Sequence, residues 1–214
     1  MARHDGLIDA LVDRGVAVTR DFLAPPAVAA LAQEARALHG GGAFRQAGVG
    51  RGGARTLNSE IRGDRVHWLD EAAPTAPQAA FWQALDALRT ALNASLYLGL
   101  AEFEGHYAAF PPGAGYRRHL DRFAESDARV VSAVLYLNAA WRPELGGALR
   151  LYDAKGWEDV LPEAGTLVVF RSDSVYHEVL PGSRLRFSLT GWFRRRGASV
   201  LETIPDPGPG RDAA

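Results

Sequence analysis

The sequence predicts an α+β fold in which helices come first and an antiparallel sandwich or barrel of short strands follows. Three observations carry this expectation. Apolar residues recur at helical spacing over roughly the first hundred positions. From about residue 99 the pattern changes to short runs rich in β-branched and aromatic residues, each bounded by turn residues. No long helical stretch separates those runs, which favours strands packed in a sandwich or closed into a barrel.

In chain order, a first helix is expected over roughly 5–14, where Leu7, Ile8, Leu11 and Val12 keep helical spacing, and a short strand from Gly15 to Thr19. A second helix starts near Pro25 and Pro26, because proline is tolerated in a first turn. It continues through Val28, Leu31 and Ala35 to Leu38 and stops at Gly40-Gly41-Gly42. Residues 40–64 are rich in glycine and arginine and longer than an ordinary connection. They read either as a flexible surface loop or as a mobile loop, over 43–60, that closes on a functional site. A third helix over 76–96 carries a Phe81, Leu85, Leu88, Leu92 stripe suited to covering a sheet. Strands are expected at 130–138, 147–153, 165–170 and 184–193. The tail from 201 to 214 holds three prolines and no apolar cluster and is expected to be disordered. Residues 1–200 then form one domain, with helices in 1–98 and a barrel core over about 99–196; no internal repeat is evident.

Composition removes several function classes. A net charge of −1 gives no broad basic field for nucleic acid or anionic lipid. The absence of cysteine excludes disulfides, thiolate metal sites and cysteine nucleophiles. No signal-like run opens the chain, and no stretch reaches the ~20 apolar residues needed to span a bilayer, so a cytoplasmic protein is expected.

The chemistry concentrates in Gly115-Tyr116-Arg117-Arg118-His119-Leu120-Asp121. Residues two apart in a strand point to one side, so His119 and Asp121 can offer an imidazole and a carboxylate to the same point. A His-x-Asp pair is common by chance; Glu104 and His106 show the same spacing reversed. His177, in Ser174-Val175-Tyr176-His177-Glu178-Val179, supplies a third ligand type, and two histidines with one carboxylate leave open positions suited to a non-haem Fe(II) oxygenase. Beyond a turn-like Leu180-Pro181-Gly182-Ser183, the next strand alternates. Arg186, Ser188, Thr190 and Trp192 share one side, and Leu185, Phe187, Leu189 and Phe193 share the other. An arginine on an inward face beside a metal histidine needs a buried anion, and a dicarboxylic acid supplies one: its keto-acid end can chelate the metal while its far carboxylate pairs with the guanidinium.

Over roughly 58–193 the chain resembles the prolyl 4-hydroxylases of the oxygen-sensing (egg-laying-nine) type and their bacterial relatives, among the Fe(II)/2-oxoglutarate-dependent dioxygenases. The matching stretches are Glu60 through Leu69, Gly115-Tyr116 with Arg118-His119 and Asp121, Leu135-Tyr136-Leu137-Asn138, and Trp141. Gly146 through Arg150, His177-Glu178-Val179, and Arg186 through Trp192 complete the pattern. The resemblance implies a double-stranded β-helix (jelly-roll) barrel core with supporting N-terminal helices. It also implies Fe(II) held by His119, Asp121 and His177, and 2-oxoglutarate held by Arg186 with a hydrogen bond from Tyr136. Tyr116 and Trp192 would line the pocket near the metal, although Trp192 could equally serve as barrel packing. Arg62 and Asp64 would shape the substrate groove or only pair with each other. The chain departs from the family at Phe110, where the oxygen-sensing members carry a tyrosine whose hydroxyl can reach the co-substrate.

The implied reaction consumes 2-oxoglutarate and O₂, with ascorbate as an accessory reductant, and hydroxylates proline in a protein or peptide; elongation factor Tu is one candidate. No nucleic acid or membrane partner is expected. The alternatives are a hydroxylase of a free amino acid or other small molecule with the same cofactors, a non-catalytic 2-oxoglutarate or metal sensor, and a cupin-like protein holding another cation.

Overall fold

The computed structural model describes residues 4–20, 22–48, 61–122, 128–153 and 156–195. Helix α1 (Asp5–Arg14) ends where Gly15 takes a left-handed conformation, and β1 (Val16–Thr19) begins one residue later than expected. Helix α2 (Pro25–Gly40) has its prolines in the first turn. Helix α3 (Ala76–Leu96) opens on a capping box between Thr75 and Gln78. Its Phe81, Leu85, Leu88 and Leu92 are all buried, each contributing roughly 1.5–3 kcal/mol relative to exposure.

The remaining strands are β2 (Arg45–Gln46), β3 (Arg65–Trp68), β4 (Leu100–Phe110), β5 (Tyr116–His119) and β6 (Arg129–Tyr136), followed by β7 (Leu149–Asp153), β8 (Gly156–Val160), β9 (Leu167–Arg171), β10 (Tyr176–Val179) and β11 (Arg186–Arg195). They form a seven-stranded sheet of order β1-β9-β6-β11-β4-β3-β2 and a four-stranded sheet of order β5-β10-β7-β8. Every named strand pair is antiparallel. This is the double-stranded β-helix arrangement.

The pleat divides the large sheet between two cores. Phe103, Tyr107, Val131, Leu135, Leu167, Phe187, Leu189 and Phe193 face the helices. Val66, Ala108, Phe110, Val134, Tyr136, Val168 and Phe170 face the small sheet, where Leu149, Leu151, Val160 and Val179 meet them. One face buries the helix stripes, and the other encloses the barrel interior.

Strands β2, β3, β4, β5, β8 and β10 fall outside the strand ranges named from the sequence. In β4, Glu104 and His106 occupy positions of the barrel-facing register and alternate with Phe103 and Tyr107, which face the helices. The glycine-rich stretch is also partly corrected. Phe44 and Ala47 are buried, and Arg45–Gln46 pairs with β3, so the first part of the expected 43–60 loop is fixed to the sheet. Positions 49–60 and the tail beyond 195 lie outside the described residues. No described helix is long and apolar enough to cross a membrane.

Candidate active site

Register places the interior side chains in successive rungs. Phe110 lies opposite Arg186; Ala108 opposite Ser188, which faces Tyr136; His106 opposite Thr190, which faces Val134; and Glu104 opposite Trp192, which faces Ser132. The expected inward set of β11 therefore holds, and Arg186, Ser188, Thr190 and Trp192 all line one cavity. His119, Asp121, His177, Tyr116, Arg62 and Asp64 line it as well.

The three expected metal ligands converge, each from a different local cause. His119 is the cross-strand partner of His177, which places two imidazoles side by side with ring centroids 4.2 Å apart. Asp121 lies just beyond the end of β5. Its two carboxylate oxygens are 3.5 Å from His119 Nε2 and 3.6 Å from His177 Nε2. One ligand atom from each residue lies within 4.8 Å of the others. Each histidine donates from Nδ1 to a carbonyl two residues back, His119 to Arg117 and His177 to Val175, which turns both Nε2 atoms toward the shared point. Ser132 donates to the Asp121 carboxylate at 2.7 Å. Burial alone would raise the Asp121 pKa, but His177, His119 and Ser132 outweigh it and hold the group ionised well below the usual carboxylate range. Burial, with help from His119, lowers His177 to about 4, so its ring is a neutral ligand near pH 7. Two imidazoles and an ionised carboxylate fit Fe(II).

A bulge in β5 completes this wall. Between Val179 and His177 the register advances two residues on β10 but three on β5, from Tyr116 to His119. Both of those side chains consequently face inward, and their rings stack at 3.6 Å. Regular alternation would have sent one of them outward.

The Arg186 end holds a bare cation. Arg186 is 3% exposed, its Nε has no hydrogen-bond partner, and the Tyr136 hydroxyl is buried and equally unpartnered. The guanidinium carbon lies 5.0 Å from both the Tyr136 and the Phe110 ring centres. Gly147 beside it takes a left-handed φ of +74°, where a Cβ would also crowd Trp141 at 3.1 Å. A buried cation with an unpartnered Nε and an unpartnered tyrosine hydroxyl beside it fits a carboxylate that arrives from outside the chain.

The opposite end is balanced. Arg62 donates twice to Asp64, at 2.7 and 3.0 Å, and also lies over the Tyr116 ring. The two residues thus pair with each other and line the cavity together. Trp192 packs beneath the Arg129 guanidinium, which is 3.3 Å from Glu104. Sequence reasoning passed over His106, which is 1% exposed, and Ser132. His106 looked like a chance Glu-x-His spacing, and only strand register brings it into the cavity.

The family model of the 2OG-Fe(II) oxygenase superfamily matches residues 105–194, the span that carries these ligands. Among solved structures, a Pseudomonas putida prolyl-4-hydroxylase is 48% identical with a TM-score of 0.80, and the alignment covers 89% of this chain and 97% of that one. The chain belongs to the 2OG-Fe(II) oxygenase superfamily, whose members use Fe(II), 2-oxoglutarate and O₂. Within it, the similarities point to the prolyl hydroxylases. A Trichoplax adhaerens prolyl hydroxylase, solved with a hypoxia inducible factor oxygen degradation domain peptide fragment, is 25% identical with a TM-score of 0.80 over 89% of this chain and 88% of that one. Human prolyl hydroxylase EGLN3 is 28% identical over 195 residues, 87% of this chain and 81% of the relative.

Proposed function

We propose that this protein is an Fe(II)- and 2-oxoglutarate-dependent prolyl 4-hydroxylase acting on proline in a protein or peptide. The observation that carries the reading is the meeting, in one cavity, of a His119-Asp121-His177 cluster with an unpaired buried Arg186. In this reading His119, Asp121 and His177 would hold the iron. Arg186 would bind the far carboxylate of 2-oxoglutarate, and the Tyr136 hydroxyl would donate to the same group. When bound, iron and 2-oxoglutarate together supply the O₂ activation that hydroxylates a C–H bond and releases succinate and CO₂. The chain's own share is positional. The carbonyls of Arg117 and Val175 fix the two imidazoles, and Ser132 fixes Asp121. Tyr116 and Trp192 would form the walls against which the substrate lies, with Arg62 and Asp64 shaping the groove beside them. Phe170, Leu149 and Val179 add apolar lining beside the three ligands.

The finer parts of the proposal are a single working domain over 1–200, a cytoplasmic setting, ascorbate as reductant, and elongation factor Tu as one candidate partner. The similarity to a bacterial prolyl-4-hydroxylase supports a bacterial protein target. Purified protein with Fe(II), ascorbate, 2-oxoglutarate and a proline peptide should form succinate and hydroxyproline, and His119→Ala should bring both to background. Succinate formation with free proline but with no proline peptide would sink the assignment.

A further inference from the structure

The wall facing away from Arg186 contains two nitrogens that the fold leaves without partners. His106 Nδ1 and Trp192 Nε1 are buried and meet no acceptor. Their rings lie 5.5 Å apart, and both side chains line the cavity. Leaving a buried donor unmade costs on the order of 1–3 kcal/mol, so two side by side mark a surface that expects an acceptor from a ligand. The indole can only donate, whereas a neutral imidazole offers one donor and one acceptor. Burial, reinforced by Arg62 and Arg129, lowers the His106 pKa to about 3, so the ring is uncharged at neutral pH.

The charges around this pair are already matched. Arg62 is held by Asp64, and Arg129 lies against Glu104. A carboxylate arriving here would find no spare cation, in contrast to the Arg186 end. The acceptor that suits the wall is therefore neutral. A proline inside a peptide has no backbone N–H, so its polar handles are the carbonyls on either side of the ring. Those are acceptors, and donors are what a wall for such a residue needs.

We propose that His106, together with the Trp192 indole N–H, receives a peptide carbonyl next to the reacting proline and so determines specificity for peptidyl over free proline. The inference rests on the prolyl hydroxylase reading and adds a residue to it. Exposed Trp68, whose ring lies 4.7 Å from His106, extends the same wall to the surface, where flanking residues of a peptide would pass.

The test screens proline-centred peptides with the Fe(II)- and 2-oxoglutarate-loaded wild-type enzyme and carries the best one into His106→Leu and His106→Gln. His106→Leu should raise the KM for that peptide about fivefold to tenfold. 2-Oxoglutarate affinity, measured calorimetrically on Zn(II)-loaded protein, should be unchanged. His106→Gln restores an amide donor and should recover most of the loss. An unchanged peptide KM in His106→Leu overturns the inference and leaves the prolyl reading standing. An equal loss of 2-oxoglutarate affinity overturns it in favour of a packing role. A screen in which wild type hydroxylates no peptide overturns the prolyl reading itself.

Discussion

The two ends of the cavity share strands β4 and β11 yet handle charge in opposite ways. Around Arg186 a guanidinium is 3% exposed with no ion pair among the described residues, and the Tyr136 hydroxyl beside it is also left unpartnered. Around His106 and Trp192 each nearby cation has a carboxylate, Arg62 with Asp64 and Arg129 with Glu104. A buried unpaired charge is costly, so the first end loses stability in the free protein unless an anion reaches it. The second end is satisfied electrostatically and lacks only neutral acceptors. Two partners of different chemistry can therefore share the pocket without competing for one end.

Substitution of the bare cation offers the largest way to break this contrast. Arg186→Met keeps volume and removes the charge. It should weaken 2-oxoglutarate binding by roughly 10²–10³-fold, the loss typical of truncating one side of a buried charged pair. The apo protein should melt at the same temperature or higher, because an uncompensated charge has gone. Calorimetry on Zn(II)-loaded protein and a thermal melt of the apo protein read the two effects separately. A large drop in apo melting temperature with intact 2-oxoglutarate affinity would mean that Arg186 is a structural residue.

The mirror-image change lies at the balanced end. Asp64→Asn removes the carboxylate and leaves Arg62 buried with its charge unmatched. A loss of about 3 kcal/mol is expected, a fall in Tm of about 10 °C for a domain of this size. Affinity for 2-oxoglutarate should stay within about twofold, since the co-substrate end is untouched. Stability lost at one end and ligand affinity lost at the other is the signature of the division; the same phenotype from both variants would dissolve it.

Much of the Arg186 end was legible in the sequence, and at the other end Trp192, Arg62 and Asp64 were named while His106 was not. His119, Asp121, His177 and Arg186 are residue types with a narrow range of buried uses, and the period of two in β11 already puts Arg186 and Trp192 on one face. Tyr116 was named for the pocket only through the family resemblance. It lies three residues from His119, and only the β5 bulge turns both inward. His106 was hidden because a lone Glu-x-His carries no information until β4 is aligned with β11. The helices were plain from their apolar stripes. Strand β4 lay outside the ranges named, although Glu104 and His106 alternate with Phe103 and Tyr107 across it. Arg62 and Asp64 pair with each other and also line the cavity, so the mutual pairing does not exclude the groove role.

Phe110 is the smallest and most discriminating lever at the co-substrate end. Its ring centre lies 5.0 Å from the Arg186 guanidinium, it is buried, and it lines the cavity. Relatives of the oxygen-sensing type carry a tyrosine there. Phe110→Tyr would add one hydroxyl beside a site that already has a cation and the Tyr136 phenol. If the carboxylate of 2-oxoglutarate sits between them, the new donor gains a charged acceptor, a contact worth about 1.5–3 kcal/mol, reduced by the cost of burying the hydroxyl. A threefold to tenfold tighter 2-oxoglutarate affinity on Zn(II)-loaded protein is expected, with the peptide KM unmoved. In the free protein the same hydroxyl has no carboxylate to meet, so apo stability should fall slightly. A gain with co-substrate and a loss without it would show that this end of the pocket is shaped for a guest anion. A loss in both states would place the carboxylate elsewhere.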